Sequence, residues 1–368
     1  MATATATGAS INRVSLLSAL ARAKRIVPRS TPTPILFCVK LTVDSSGCSI
    51  LATDMTQCLR LSVSGAIGEL DCVLPPVPLT AFCQAASGDE VELKPTKSGV
   101  RVTCGRSEMT LPTQNPHEYP SPPAVDAESI AVPQRLLATA INRTAFCIKQ
   151  DENRFAIGSL CLEVVGGAMR TIGTDGRTCA SHSVINGLQS PDAVALVPVE
   201  SAKVIAALLG DDAECSLRMG SNMLAVQGDG FDYSTRLSEG RFPKVSDQLP
   251  QTLRESFAVP CGALAAAAKV ALAIDKGDAQ LPPRILLNTD GGTLTLHASL
   301  PQSADESRTE LPIAFDGSLS VRVNSKYVTG FLATRDPEDD VHLGIVSNER
   351  LYLYADEQRY VICALVAD

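Results

Sequence analysis

The sequence predicts an α+β fold of three repeated domains, antiparallel sheets on one side and helices on the other, and two observations carry that reading. The hexapeptide Glu128-Ser129-Ile130-Ala131-Val132-Pro133 returns as Glu255-Ser256-Phe257-Ala258-Val259-Pro260. Elsewhere in each copy, apolar residues alternate with polar ones between Gly and Asn turns, the period of half-buried antiparallel strands. Both hexapeptides read as a short strand and a Val-Pro step into an Ala- and Leu-rich helix, through Leu136, Leu137, Ala140 and Ile141 and through Leu264, Ala267, Ala268 and Val270. Proline suits that place, where its missing N–H leaves no hydrogen bond unmade. A third copy is expected at the amino end, where Ile11-Asn12-Arg13-Val14 leads into Leu16, Leu17, Ala19 and Leu20. The expected domains are 1–125, 126–254 and 255–368, parted at the Pro-rich residues 120–124 and the polar residues 250–254.

Each domain carries a second, weaker repeat: a Pro- or Asn-led helix, an acidic or Gly stop, then a hairpin. The helices are expected over 76–86, 197–209 and 324–332, with stops at Gly88-Asp89, Gly210-Asp211-Asp212 and residues 336–340. Longer strands are expected over 35–43 and 49–63, 157–165 and 169–184, and 285–288 and 293–300. Two helices per domain result.

Composition excludes several classes. The chain has 368 residues, 45% hydrophobic and 20% charged, enough to bury several cores. Its apolar runs around 263–274 are broken by Lys269 and fall short of the roughly 20 residues a membrane helix needs. Residues 1–10 lack the basic and apolar regions of a signal peptide, so a cytoplasmic protein is expected. Twelve cysteines without any Cys-x-x-Cys read as free thiols of a reducing compartment. The four histidines, His117, His182, His297 and His342, lie far apart and read as surface or turn residues, so neither a metal nor another cofactor is expected.

The net charge of −8 argues against a nucleic-acid binder if only the sum counts. The distribution argues the other way: Lys and Arg gather in the helical segments and the acids in sheets and loops. If the helices share one side, that basic face attracts phosphate without reading bases; the alternative is that these residues only solvate helix surfaces.

Motifs for chemistry are sparse. No phosphate-cradling Gly-x-x-x-x-Gly-Lys loop and no Gly-x-Ser-x-Gly elbow occurs. Gly173-Thr174-Asp175-Gly176-Arg177-Thr178 sits between two strand-like runs and reads as a turn, since Asp supplies Asx bonding and Gly positive φ. Ala52-Thr53-Asp54-Met55 holds the matching place in the first domain, without the Gly.

Several of these segments resemble the bacterial DNA polymerase III β subunit, the sliding clamp. Arg236-Leu237-Ser238-Glu239-Gly240-Arg241-Phe242-Pro243-Lys244-Val245 is similar to that family's Lys-Leu-x-x-Gly-x-Phe-Pro-x-Tyr signature, and Thr174-Asp175-Gly176-Arg177 to its Thr-Asp-Gly-His-Arg turn. Thr33-Pro34-Ile35-Leu36, Val132-Pro133, Val197-Pro198 and Tyr360-Val361-Ile362 match in order. The resemblance implies a non-catalytic processivity factor: two chains joined head to tail in a closed ring, helices lining a hole that encircles duplex DNA, and a polymerase tethered to it. Partners would be double-stranded DNA, the replicative polymerase and a clamp loader.

Carried over by position, the resemblance implies a partner-peptide cleft of Ile157, Thr174, Gly176, Arg177, Cys179, Pro243, Tyr327, Val361, Ile362, Cys363 and Leu365. DNA-facing residues would include Arg22, Lys24, Arg25, Arg143, Lys149, Arg154, Lys203, Lys269 and Arg335. The dimer interface would bring Arg101, Arg106, Met109 and Leu111 against Leu272, Ile274, Asp305 and Glu306. Arg177 stands where the family has His, and the tail from Cys363 lacks the family's Met-Pro-Met-Arg ending, so an altered peptide preference is expected. Two other readings stay open: an enzyme on a triplicated scaffold with its site at Asp175 and Arg177, and a peptide-binding scaffold that does not encircle DNA.

Overall fold

The computed structural model describes residues 5–149, 156–210, 213–245, 249, 253, 255–278, 281–300, 304–347 and 349–365. Among them one motif, a strand, a helix and three further strands, recurs six times. The first repeat comprises β1 (Thr5–Asn12), α1 (Arg13–Ala23), β2 (Val39–Asp44), β3 (Gly47–Thr53) and β4 (Gln57–Val63), then β5 (Ala66–Leu74), α2 (Pro76–Ala85), β6 (Glu90–Thr96), β7 (Gly99–Cys104) and β8 (Ser107–Leu111). The second comprises β9 (Ser129–Pro133), α3 (Gln134–Ala145), β10 (Ser159–Val165), β11 (Ala168–Thr174) and β12 (Thr178–Ile185), then β13 (Ala193–Pro198), α4 (Val199–Leu208), β14 (Glu214–Met219), β15 (Met223–Gly228) and β16 (Phe231–Arg236). The third comprises β17 (Ser256–Pro260), α5 (Cys261–Ile274), β18 (Arg284–Asp290), β19 (Thr293–Ser299) and β20 (Glu306–Pro312), then β21 (Ser320–Asn324), α6 (Ser325–Leu332), β22 (Asp340–Ser347), β23 (Arg350–Ala355) and β24 (Gln358–Cys363).

Local chemistry explains the helix starts. The Asn12 side chain accepts from the backbone N–H groups of Val14 and Ser15, and Asn324 accepts from Lys326, so each caps donors that a helix start leaves open. Pro76 opens α2 instead. In α5, Leu264, Ala267, Ala268 and Ala271 form the buried stripe while Lys269 and Val270 face out.

Pairing is antiparallel throughout and exchanges halves: the leading strand of each half-repeat joins the trailing three of the other half. Thus β5 pairs β2 and β1 pairs β6, β13 pairs β10 and β9 pairs β14, β21 pairs β18 and β17 pairs β22. The chain divides into two compact units. The first, Met1–Arg135 with Ala207–Leu237, holds a 12-stranded sheet running β8-β7-β6-β1-β5-β2-β3-β4-β16-β15-β14-β9. The second, Leu136–Ala206 with Ser238–Asp368, holds an 8-stranded sheet, β13-β10-β11-β12-β24-β23-β22-β17, and a 4-stranded one, β20-β19-β18-β21.

Each unit therefore contains one seam where consecutive repeats share a sheet, β4 with β16 and β12 with β24. The registers correspond: Gln57↔Thr235 matches Thr178↔Ile362, which sets Tyr233 opposite Leu59 and Tyr360 opposite Ala180. Both tyrosines are buried. Tyr360 stacks on Phe331 of α6 at 5.5 Å and meets the edge of Phe146, just past α3, at 5.1 Å. Such ring pairs add about 0.5–1.5 kcal/mol each to the burial itself.

Three expectations are corrected. The strand expected over 35–43 opens as a 3-10 turn, Pro34–Phe37, because proline fixes φ and offers no donor; β2 starts only at Val39. The runs 49–63 and 169–184 each divide in two, at Asp54 and Asp175. His182 is buried, not superficial: its Nε2 lies 3.3 Å from the Arg143 guanidinium, a permanent donor. Burial, and next the charge of Arg143, push its imidazole down to about 4.

Since the folded value lies below the unfolded one, about 6.5, the unfolded chain takes up the proton first as pH falls. His182 therefore costs nothing above that value, and stability declines as pH drops from about 6.5 toward 4, by up to about 3 kcal/mol. Urea unfolding across this range should show that loss in the wild type, and His182→Gln should flatten it.

Candidate functional site

Asp175 shapes the most distinctive turn of the second unit. It follows β11, and its Oδ1 accepts from the backbone N–H groups of Arg177 and Thr178 at 2.9 and 2.8 Å and from the Thr178 hydroxyl at 3.0 Å. The Thr174 hydroxyl donates to the Thr178 carbonyl at 2.6 Å and accepts from the Gly176 N–H at 3.0 Å. Gly176 sits at φ 84°, with nothing within 4 Å of where a Cβ would point. Gly173 answers a different need, since a Cβ there would lie 2.4 Å from the Thr144 carbonyl oxygen of α3.

The seam strand β24 ends beside this turn. Cys179 faces Val361, Thr178 faces Ile362, and the Cys363 N–H donates to the Arg177 carbonyl at 3.0 Å. Tyr327 arrives from α6, its hydroxyl donating to Asp175 Oδ2 at 2.8 Å. Ile157 and Pro243 reach the same region through their neighbours Ala156 and Phe242, which pack on the cluster holding Cys179 and Val361. Leu365 is drawn aside, its N–H donating to the Arg322 carbonyl of β21.

Two tiers result. Thr174, Cys179 and Val361 are buried cross-strand neighbours and form a floor, whereas Ile362, next along β24, faces the other side of the sheet; Gly176, Arg177, Pro243 and Cys363 are exposed and form a rim, with Ile157, Tyr327 and Leu365 between. Ile362 is fully buried in the core of the third repeat, so a charge placed there would test folding before it tested a cleft. Ile172, Leu196, Leu249 and Tyr352 complete the floor and were not anticipated, because strand alternation marks them as core without saying which face they share. Asp175 and Lys149 were not anticipated as cleft residues either. For Asp175 the sequence signal is the Thr-Asp turn itself; Lys149, expected to face DNA, has none for this turn.

The cations differ in how free they are. Lys24, Arg25, Lys149, Lys203 and Lys269 are exposed, Lys203 beside Glu200 at 2.8 Å. Arg22 is half-buried, donating to the Leu208 carbonyl and lying over the Phe231 ring. Arg143 contacts His182 and Asp356. Arg335, expected to face DNA, instead has a side chain only 1% exposed, paired with Asp356 at 2.6 Å and Asp339 at 2.9 Å. That burial and pairing remove it from any phosphate-facing surface. Arg154 lies outside the described residues.

The residues expected at a dimer interface lie on or beside sheet edges. β8 closes one end of the 12-stranded sheet and carries Met109, with Arg101 and Arg106 exposed nearby; β20 closes one end of the 4-stranded sheet, with Asp305 and Glu306 exposed at its start. Leu272 and Ile274 are half-buried at the end of α5. Leu111 is buried in its own unit, where it belongs to the fold and not to an outer surface.

Asp175 is occupied by its turn and by Tyr327, and among the described residues no group of His, Cys, Asp and Glu could hold a metal. Among the described residues, no helix is long and apolar enough to cross a membrane. Six strand-helix-strand motifs joined by cross-repeat seams define the sliding-clamp class of fold. A clamp from Pseudomonas aeruginosa superposes with a TM-score of 0.90 at 23% identity, covering 98% of this chain and 100% of that one. The Bacillus subtilis clamp does so with a TM-score of 0.90 at 15% identity, covering 99% and 100%. In sequence, the β sliding clamp of Pseudomonas aeruginosa is 25% identical over 96% of this chain and 98% of its own length, and that of Streptomyces coelicolor 28% identical over 89% and 88%.

The family profile of the DNA polymerase III beta subunit matches twice, its N-terminal domain over residues 8–123 and its central domain over residues 131–244. The chain belongs to that family. It is a sliding clamp of DNA replication, a processivity subunit and not an enzyme.

All twelve cysteines are unpaired; eleven are buried, and Cys363 at the end of β24 is exposed. Burial pushes Cys179 up to about 12 and Cys58 to about 11, which keeps them protonated and unreactive near neutrality. Thiol titration should therefore find one fast-reacting cysteine per native chain, lost in Cys363→Ser, and twelve after unfolding. Fast reaction of several thiols in the native protein would contradict this burial pattern.

Proposed function

We propose that two copies of the chain close head to tail into a ring around duplex DNA, and that the pairing rule of the seams carries this reading. The last strand of one half-repeat joins the last strand of the next repeat twice, as β4 with β16 and as β12 with β24. Applied once more, the rule matches β20 of one chain with β8 of another, and both are sheet edges. Exposed Asp305 and Glu306 beside β20 and Arg101 and Arg106 beside β8 give opposite charge to the two edges. Met109, Leu272 and Ile274 supply apolar contact. Repeating the contact in the second copy closes the assembly instead of extending it.

Domains at 1–125, 126–254 and 255–368 follow from the same repeats, and the family matches over 8–123 and 131–244 support the first two. Exposed Lys24, Arg25, Lys149, Lys203 and Lys269, with the partly committed Arg22 and Arg143, supply a sequence-independent attraction for phosphate. Topology then does the holding, without any metal or cofactor. The rim and floor around Gly176 and Val361 take a short apolar peptide from the replicative polymerase, the clamp loader and other partners. The protein works in the cytoplasm, on the nucleoid.

Encirclement has a direct test. The protein, once loaded, should stay on nicked circular DNA at salt concentrations that release a groove binder, and should leave when the circle is cut. Equal retention on circular and linear DNA would refute the ring.

The first repeat supplies a control for the cleft. Met55 sits at φ 76° in a turn with the bonding of the Asp175 turn, so that turn tolerates a side chain where the second repeat has Gly176. Gly176→Met should therefore fold, at a cost of about 1–2 kcal/mol, yet bind a fluorescent peptide bearing adjacent Leu and Phe at least about tenfold more weakly. Unchanged affinity would remove the peptide path from this turn.

A further inference from the structure

The two Thr-Asp turns differ in one oxygen. In the first repeat, Asp54 Oδ1 accepts from the N–H groups of Thr56 and Gln57 and from the Thr56 hydroxyl, and Oδ2 accepts from the Gln57 side chain at 3.2 Å. That carboxylate is satisfied by its own turn. In the second repeat, Oδ1 is used in the same way, but Thr178 takes the place of Gln57 and cannot reach Oδ2. Oδ2 instead accepts from the Tyr327 hydroxyl at 2.8 Å, with the Lys149 ammonium 3.9 Å away.

This carboxylate is nearly sealed, its side chain 3% exposed, so an unmet oxygen would be costly. Three segments converge on it: the turn, helix α6 through Tyr327, and the end of the α3 segment through Lys149, which also lies over the Tyr327 ring at 5.6 Å from its centre. Burial and the bond to Asp175 raise the Tyr327 phenol above its ordinary range, so it stays a donor at neutral pH.

We infer that Asp175 is a positioning residue for the peptide cleft: its outward oxygen latches Tyr327, and with it α6, to the β11–β12 turn. The aromatic wall and the Gly176–Arg177 rim are thereby held at fixed separation before a peptide arrives, which lowers the ordering cost of binding. This rests on the cleft reading above. It assigns Asp175 no contact with the peptide, and it separates the hydroxyl of Tyr327, which latches, from its ring, which lines.

Tyr327→Phe in the full chain isolates the latch, because it keeps the ring and leaves every bond within the turn. Two measurements follow: amide hydrogen exchange of α6 and of residues 176–178 without peptide, and affinity for the same Leu-Phe fluorescent peptide. The expected result is exchange at least about tenfold faster in α6 and binding about tenfold weaker. Asp175→Asn should weaken binding as well, since its amide presents a donor to Tyr327, but should add little to Tyr327→Phe. Wild-type exchange in α6 of Tyr327→Phe would overturn the latch, and so would fully additive losses in the double variant. A wild-type protein that bound no peptide would overturn the cleft reading, whereas the exchange arm reports on the latch regardless.

Discussion

Backbone pairing between the last strand of one half-repeat and the last strand of the next repeat, β4 with β16 and β12 with β24, is the interaction on which the remainder of the structure depends. Main-chain bonds are indifferent to side chains, so the same pairing holds two seams of quite different composition. At one, Ser234 and Thr235 lie beside Cys58 and Gln57; at the other, Val361 and Ile362 lie beside Cys179 and Thr178. What the seams share is a buried tyrosine, Tyr233 or Tyr360, and a Thr-Asp turn that sets where pairing ends. A sheet continued this way leaves no bare edge between repeats, which matters because bare edges invite aggregation.

The two seams diverge at their turns. The first seam fills its turn with Met55 and bonds Asp54 inward; the second leaves Gly176 open and sends the Asp175 oxygen to a helix of the next repeat. One junction is thus finished by its own residues and the other keeps an apolar floor beneath an exposed rim.

Much of this was legible in the sequence. The recurring Glu-Ser-x-Ala-Val-Pro marks the strand and helix that open the second and third repeats, and Val-Pro and Asn-led helices fall where Pro198 and Asn324 place them. β20 escaped notice because Glu306-Ser307-Arg308-Thr309-Glu310 offers no apolar period; it is an edge strand with neither face deeply buried. Charge counting also misled. Arg335 and Arg143 look like free cations in a helical segment, but Asp356, a non-glycine residue at φ 48°, comes from a hairpin turn after the helix to meet them. No spacing in the chain announces that contact. Asp175 was visible as a turn former, while its bond to Tyr327 spans 152 residues and exists only in the fold.

The central claim, that the seam rule is completed by a second copy, is tested most directly by the mass in solution. Sedimentation equilibrium at micromolar concentration should give about twice the 38.8 kDa of one chain, with no growth toward larger species as concentration rises. A single-chain mass, or open-ended association, would contradict closure by two head-to-tail contacts.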